Sequence, residues 1–211
     1  MNRAKRLTAV LAIVYLLFLA WYDGWGQGTL SKAEVEAYLA NFDQFAANGN
    51  AAADPAGIRR ELEQFGLDDD GKEFIMLNLN TYQPSVGGGD ARYNQDYAAY
   101  GRASLPLILS RAGHPIFFAQ GIQSLFNPRY EEEPWQQVIL VRYRSRRDFI
   151  AMVTSDAYLE IAGLRSAGIK FDEVFPTHAM FSVASPRLFI ALLLAVIGLT
   201  IHFIWRGSRK S

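Results

Sequence analysis

The sequence predicts an α+β protein in which a ferredoxin-like βαββαβ domain lies between two transmembrane helices. Three observations carry this prediction: an apolar segment near each end, strand-like patterns between them, and helical patterns that separate the strands. The order β-α-β-β-α-β is typical of the ferredoxin-like arrangement. By residue number we expect a cytoplasmic tail at 1–6, a transmembrane helix at 7–25, a two-helix extramembrane connector at 26–72, the ferredoxin-like domain at 73–184, a second transmembrane helix at 186–205 and a cytoplasmic tail at 206–211.

The two apolar segments, 7–22 and 188–205, are each about 16 to 18 residues long, near the lower limit for a helix that crosses the hydrocarbon layer. Basic residues lie outside both segments: Arg3, Lys5 and Arg6 before the first, and Arg206, Arg209 and Lys210 after the second. Lysine and arginine tend to stay on the cytoplasmic side. Both termini are therefore expected in the cytoplasm and the central domain in the periplasm, with the helices in the lipid of a bacterial inner membrane.

A cleaved signal peptide is the alternative for the first segment, because a basic start and an apolar stretch are common to both. The end of the segment lacks the small-x-small pair that a signal peptidase prefers. Trp21, Tyr22 and Trp25 are instead typical of side chains that anchor a helix at the membrane interface. These features favour an uncleaved anchor.

Composition narrows the classes of function. The net charge is zero, but between residues 24 and 186 there are 14 lysines and arginines against 20 aspartates and glutamates. An acidic central region does not suit nucleic acid, whose binding requires phosphate neutralisation. The chain has no cysteine, so disulfides and thiolate chemistry are excluded, which is compatible with a periplasmic domain.

The connector is predicted to hold two amphipathic helices. Ser31 and Glu34 have the spacing of a capping box, and an apolar stripe follows until Gly49. An aspartate–proline pair at 54–55 predicts the start of a second helix, and Gly66 its end. The apolar faces have two alternative uses: packing on the domain of the same chain, or docking another membrane subunit.

Within the domain, alternation and apolar runs predict four strands separated by helices. In the first strand Ile75, Leu77 and Leu79 point one way and are expected to pack on the helices, while Asn78 points the other way. Pro106 is expected to kink the first helix. The predicted strands are 73–82, 114–121, 137–143 and 171–183, and the predicted helical regions are 90–112 and 145–168.

The same residues carry a resemblance to a known family. The pattern runs through Met76, Asn78, Leu79, Tyr93, Tyr97, Gly113, Trp135, Val138, Arg142, Tyr143, Ser145, Phe149, Met152, Tyr158 and Arg165. It resembles a widespread, functionally uncharacterised family of small domains in the dimeric α+β barrel superfamily. That superfamily also includes cofactor-free antibiotic-biosynthesis monooxygenases and muconolactone isomerase-type enzymes. The resemblance spans about 110 of the 211 residues and implies a homodimer whose two four-stranded sheets face each other around a small cavity.

The chain departs from this family in two respects. The family's domains are normally soluble, whereas this chain adds two spans and two connector helices. The loop at 123–133 is also longer than usual, which leaves the mouth of the cavity undefined.

Asn78 is the leading candidate for a ligand contact, because a strand face would place its amide in the barrel cavity beside Tyr97, Arg142 or Tyr143. Neighbours on a strand point opposite ways, so only one of Arg142 and Tyr143 reaches the cavity. The alternative for Asn78 is a hydrogen bond to the dimer mate or to water.

Two functions are consistent with the sequence. The favoured one is non-enzymatic: a membrane-anchored accessory or assembly module that presents its domain in the periplasm and homodimerises or docks on a larger membrane complex. The alternative is a membrane-tethered, cofactor-independent monooxygenase or isomerase for a small hydrophobic or aromatic substrate. No acid–base pair is identifiable, which favours the first, whereas a cavity of several hundred cubic ångströms lined by polar groups would favour the second. His114 and His178 lack further ligands at metal-binding spacing, so neither a metal nor a cofactor is expected.

Overall fold

The structure, a computed structural model, describes residues 3–50, 54–84, 94–121, 134–180 and 185–207. The chain divides into two compact units, one from residues 1–26 with 180–211 and the other from residues 27–179. The helices are α1 (Arg3–Asp23), α2 (Lys32–Phe45), α3 (Pro55–Leu67), α4 (Gln95–Leu109), α5 (Arg146–Val153), α6 (Asp156–Gly168) and α7 (Pro186–Gly207), with a π-helical segment, Ala46–Asn50, after α2. The strands are β1 (Phe74–Tyr82), β2 (His114–Gln120), β3 (Gln137–Tyr143) and β4 (Ile169–Thr177).

The four strands form one antiparallel sheet in the order β2-β3-β1-β4, which confirms the predicted α+β class. In the central pair, β1 and β3, Phe74 lies opposite Tyr143 and Asn78 lies opposite Ile139. An irregularity between Pro115 and Phe117 shifts the register of β2 against β3. This register decides which side chains share each face of the sheet.

The helices cover the sheet face that carries Asn78, whereas the sequence predicted that they would cover the opposite face, that of Leu77. Phe74 and Met76 share the face of Asn78 and are buried in the main core, with 2% and 7% of their surface exposed. Alternation fixes which residues share a face but not which face is covered. Here the helices cover the face that carries the rings of Phe74 and Tyr143, which stack in the core with centroids 5.4 Å apart.

The connector helices pack on the domain of the same chain, which is the first of the two alternatives considered above. Phe65 of α3 meets Phe149 of α5 edge to face, with ring centroids 5.7 Å apart. Val35 and Leu39 of α2 are fully buried in a second cluster with Ile150. Each such side chain stabilises the fold by about 1.5–3 kcal/mol through burial. The connector is therefore part of the folded unit.

The ends of the connector helices depart partly from the prediction. The capping box is present, since the Glu34 amide donates to Ser31 Oγ at 3.3 Å and the Ser31 amide donates to Glu34 Oε2 at 2.9 Å. Gly49 was the predicted stop of the first helix, and helical structure ends one residue later, with the π-helical segment Ala46–Asn50. Gly66 was the predicted end of the second helix, and α3 ends one residue later, at Leu67. A Cβ at Gly66 would lie 2.8 Å from a side-chain atom of α5, so this glycine permits close helix packing.

The later elements follow the predicted order with shorter bounds. α4 continues through Pro106, and β4 ends earlier than expected. Residues 85–93, with the predicted glycine-rich turn and Tyr93, lie outside the described residues. The same is true of the long loop at 122–133 and of 181–184 at the predicted end of the last strand.

The other unit contains α1 and α7, each long and apolar enough to cross a membrane. The end of α1 packs against the start of α7: Arg187 pairs with Asp23 at 2.6 Å, and its guanidinium lies over the ring of Tyr22 at 4.8 Å. Farther along, a Cβ at Gly198 would lie 3.0 Å from Leu11. The two helices are therefore antiparallel, and the basic residues at the start of α1 and the end of α7 lie at the same end of the pair.

Candidate functional site

A cavity of about 410 Å³ lies between the helix-covered face of the sheet and α4. Its apolar wall is formed mainly by side chains of α4, β2 and β3: Ala98, Leu105, Ile108, Phe118, Ile139 and Val141. The polar side chains that line it include Asn78, Tyr82, Tyr97, Tyr100, Tyr143 and Arg165. A volume of several hundred cubic ångströms with a mostly apolar lining and a few convergent polar groups is typical of a small-molecule site.

Three of the four predicted site residues line this cavity, and one does not. Asn78, Tyr97 and Tyr143 lie together on it. Arg142 points to the other face of the sheet, where it donates to Glu73 at 2.7 Å and to the carbonyl of Ala112 at 2.7 Å. The sequence had left open which of Arg142 and Tyr143 reaches the cavity, and the register of β1 with β3 selects Tyr143.

This cavity lies within one chain, and the expected cavity between the sheets of two subunits stays a prediction. The resemblance implied a cavity between the sheets of two subunits, whereas this cavity lies between one sheet and the helices of the same chain. Asn78 reaches it because it shares a face with the core residues Phe74 and Met76. Its amide nitrogen donates weakly to the carbonyls of Met76 and Ile139, at 3.3 and 3.4 Å, so the strands supply part of its hydrogen bonding.

A chain of tyrosines follows the cavity wall. The rings of Tyr82 and Tyr97 lie 5.0 Å apart, and those of Tyr97 and Tyr100 lie 5.6 Å apart. The hydroxyls of Tyr100 and Tyr158 share a hydrogen bond of 3.0 Å. Asn80, which is fully buried, donates from its amide nitrogen to the Tyr97 hydroxyl at 3.0 Å. These contacts fix the rings of Tyr82, Tyr97 and Tyr100, which line the cavity.

The start of α4 positions Tyr97. Asn94 caps the helix, its side-chain oxygen accepting from the amides of Asp96 at 2.9 Å and Tyr97 at 3.1 Å. The amide nitrogen of Asn94 donates to the carbonyl of Gln83 at 3.1 Å, which ties the helix start to the end of β1. Gly168, at the end of α6, is so close that a Cβ there would lie 2.7 Å from the Tyr97 backbone nitrogen. Three elements therefore meet where the cavity begins.

Burial keeps the tyrosines protonated. It raises the pKa of the Tyr97, Tyr100 and Tyr143 hydroxyls, because the charged phenolate is disfavoured away from water. For Arg165, burial alone would lower the pKa, but the carboxylate of Asp172 and the neighbouring tyrosines outweigh it, and the pKa is raised. At neutral pH the wall thus presents neutral phenols and a charged guanidinium.

The described lining residues include no aspartate, glutamate, histidine, lysine or cysteine. Within the described ranges, no group of three or more histidine, cysteine, aspartate or glutamate side chains converges as metal ligands. The cavity wall can therefore donate and accept hydrogen bonds and exclude water from an apolar guest. It offers no carboxylate or imidazole among those residues to move a proton.

Sequence reasoning missed Tyr82, Asn80 and the role of Arg165. Tyr82 and Asn80 occupy even positions of β1, and that alternation was the available signal. Arg165 approaches the site because α6 turns directly into β4, which brings Asp172 beside it. That contact depends on tertiary structure, so no local sequence pattern predicts it.

Comparison with solved structures finds RPA0582, a protein of unknown function from Rhodopseudomonas palustris. Its crystal structure is 26% identical to this chain with a TM-score of 0.51, and the match covers 58% of this chain and 94% of that chain. A crystal structure of methylated RPA0582 gives the same identity and TM-score, covering 59% of this chain and 93% of that chain. No protein-family model matches this chain, and no curated protein matches it. The similarity therefore extends to a fold and brings no activity with it.

Proposed function

We propose that this protein is a membrane-anchored, ferredoxin-like domain that binds a small hydrophobic molecule in the cavity between its sheet and helices. The observation that carries the proposal is the cavity of about 410 Å³, whose apolar wall is interrupted by tyrosine hydroxyls. A drug-sized ligand fits a volume of this size with a mostly apolar lining.

Binding without turnover is favoured over catalysis. The lining tyrosines are neutral at physiological pH, so they can orient a guest but are poor general bases. The described lining also lacks a carboxylate or imidazole. A cofactor-independent monooxygenase or isomerase remains the second candidate, and the cavity of about 410 Å³ is the observation that favours it, since a substrate would need such a space.

The uncovered face of the sheet favours assembly as part of this role. The strand order β2-β3-β1-β4, with helices on one face, supports a ferredoxin-like domain of the dimeric α+β barrel type. The other face carries apolar side chains beside the charged Arg142 and Glu173, and Phe117 and Phe175 on it are 50% and 42% exposed. Exposed apolar surface of this kind typically marks a protein interface. We propose that a second copy of the chain covers it, with a subunit of a larger membrane complex as the alternative occupant.

The membrane anchor follows from α1 and α7. Their side chains are apolar and exposed, which suits contact with lipid. Their antiparallel packing supports both chain ends on one side, and the basic residues at those ends favour the cytoplasmic side of a bacterial inner membrane. Residues 27–179 would then lie in the periplasm.

Narrowing the cavity tests the binding role. Ala98 lines the cavity, so Ala98→Leu should weaken binding of a neutral aromatic probe, 2-naphthol, by about tenfold through a steric conflict of ~1–3 kcal/mol. Ala99→Leu is the matched control, because Ala99 is the next residue of α4 and does not line the cavity. Probe fluorescence is titrated against the full-length protein in nanodiscs, with empty nanodiscs subtracted. Equal affinities in wild type, Ala98→Leu and Ala99→Leu would contradict binding in this cavity.

A further inference from the structure

An ion pair borders the cavity: Arg165 lines it, and Asp172, outside the described lining, neutralises Arg165. The Arg165 guanidinium lines the cavity and donates to the carboxylate of Asp172. Pairing of β1 with β4 sets Asp172 opposite Asn80, so its carboxylate lies on the helix-covered side of the sheet. Both side chains are largely buried, with 28% and 24% of their surface exposed. Arg165 is thus neutralised by its own chain before a ligand enters.

The other polar groups of the wall offer uncharged hydrogen bonding. Tyr143 lines the cavity at 7% exposure, and its hydroxyl has no hydrogen-bond partner within the described ranges. Asn80, which lies behind the wall and does not line the cavity, has a buried Oδ1 without a partner among those residues. The Tyr97 hydroxyl accepts from Asn80, which leaves its own proton to donate. Buried polar groups need partners, and a ligand oxygen or hydroxyl would supply them.

We infer that the cavity selects an uncharged, largely apolar molecule that carries a hydroxyl or carbonyl group, and that Asp172 sets this charge preference through Arg165. The inference rests on the proposed function. A ligand carboxylate would have to displace Asp172 from Arg165, or remain beside it and place two anions in a partly buried space. Either arrangement leaves a charge without compensation, which is costly away from water.

Among the described lining residues, a second cation borders the cavity. Arg102 is also part of the lining but is exposed to solvent. Water and salt screen its charge, so it attracts an anion only weakly. The charge preference therefore depends on the buried pair, and Asp172 acts as a positioning residue that need not touch the ligand.

Two probes with the same rings and different charge test the inference. Binding of 2-naphthol and 2-naphthoate is measured at neutral pH with the full-length protein in zwitterionic nanodiscs, with empty nanodiscs subtracted. Wild type should bind 2-naphthol at least about tenfold more tightly than 2-naphthoate. Asp172→Asn frees Arg165, so 2-naphthoate affinity should rise about tenfold while 2-naphthol affinity changes little. Glu160→Gln is the matched control, because Glu160 is exposed on α6, does not line the cavity and should change neither affinity.

The outcomes separate the inference from the proposed function. Wild type that binds 2-naphthoate as tightly as 2-naphthol overturns the charge preference and leaves the binding role intact. If neither probe binds, both fail. An Asp172→Asn variant that keeps the wild-type preference overturns the role of Asp172. Should that variant not fold, as a melting curve would reveal, the comparison of the two probes on wild type decides.

Discussion

Phe117 and Phe118 are neighbours in β2 and serve opposite faces of the sheet. Phe117 pairs with Leu140 on the open face, and Phe118 pairs with Ile139 on the face that borders the cavity. They are 50% and 67% exposed. Substitutions of these two neighbouring residues therefore affect the proposed dimer face and the proposed ligand site separately.

This pair allows a matched test of dimerisation. Phe117→Glu should place a charge in the proposed interface and weaken the homodimer by ~2–5 kcal/mol, because the charge would be buried without a partner. Phe118→Glu adds the same charge on the other face and should leave the dimer intact. The oligomeric mass of each full-length variant in detergent is measured by light scattering. A monomeric wild type, or equal loss of dimer in both variants, would show that this face does not join two copies.

At the residue scale, period-two alternation predicted that Asn78 lies on a polar strand face and that Arg142 and Tyr143 diverge. It could not predict which of the last two reaches the cavity, because that depends on the register that aligns Tyr143 with Phe74. The same limit hid the Arg165–Asp172 pair, which forms only when α6 and β4 are in place. Local alternation predicts which side chains of a strand point the same way, whereas strand pairing and helix packing determine what each side chain contacts.

At the scale of elements, the contact of α6 with the start of α4 controls the shape of the cavity wall. Gly168 ends α6 against Asn94 and Tyr97, and a Cβ at this glycine would lie 2.7–2.8 Å from their atoms. One of these atoms is backbone, so a larger residue would have to move the start of α4. Gly163 lies in the same helix with no such neighbour within 4 Å.

The two glycines therefore predict opposite effects of one substitution. Gly168→Ala should lower the free energy of unfolding by ~1–3 kcal/mol and weaken binding of 2-naphthol, because Tyr97 shifts with its helix. Gly163→Ala should raise stability by ~0.5–1 kcal/mol, since alanine favours an open helix position. Thermal melting and probe titration of both variants measure this. If the melting temperature of Gly168→Ala rises above that of wild type, as that of Gly163→Ala should, the close approach of Gly168 to α4 does not constrain the fold.

The sequence predicted the elements better than their ends. Turn and cap residues located the helix that begins after Ser31 and the helix that begins at Pro55, because those signals are local. The last strand was predicted to run to 183 but ends at Thr177, whereas Gly49 and Gly66 each lie one residue before the end of their helical segments. Glycine carries the same local signal in a C-cap and in a helix contact, and at Gly66 the neighbouring side chains of α5 and α2 distinguish the two roles.

At the scale of the whole molecule, the distribution of charge carries the proposed membrane orientation. Hydropathy identified α1 and α7 from the sequence because each contains an apolar segment of about 16 to 18 residues, near the length that crosses the hydrocarbon layer. The ion pair of Asp23 with Arg187 was not predicted, since it joins residues far apart in the chain. The ion pair supports the proposed orientation, because it joins the end of α1 to the start of α7 and so favours an antiparallel pair with both chain ends on one side.

The absence of cysteine makes this orientation directly testable, since any introduced cysteine is the chain's only thiol. Lys72 lies in the proposed periplasmic unit with 75% of its side chain exposed, and Ser208 follows the second span. In intact bacterial cells, a membrane-impermeant maleimide should label Lys72→Cys and not Ser208→Cys, and permeabilised cells should label both, because arginine and lysine hold the two ends in the cytoplasm. Asn2→Cys extends the test to the other end: an uncleaved anchor keeps this label on the full-length chain after permeabilisation. Labelling of Ser208→Cys but not Lys72→Cys in intact cells would reverse the orientation, and the domain would then meet cytoplasmic ligands instead.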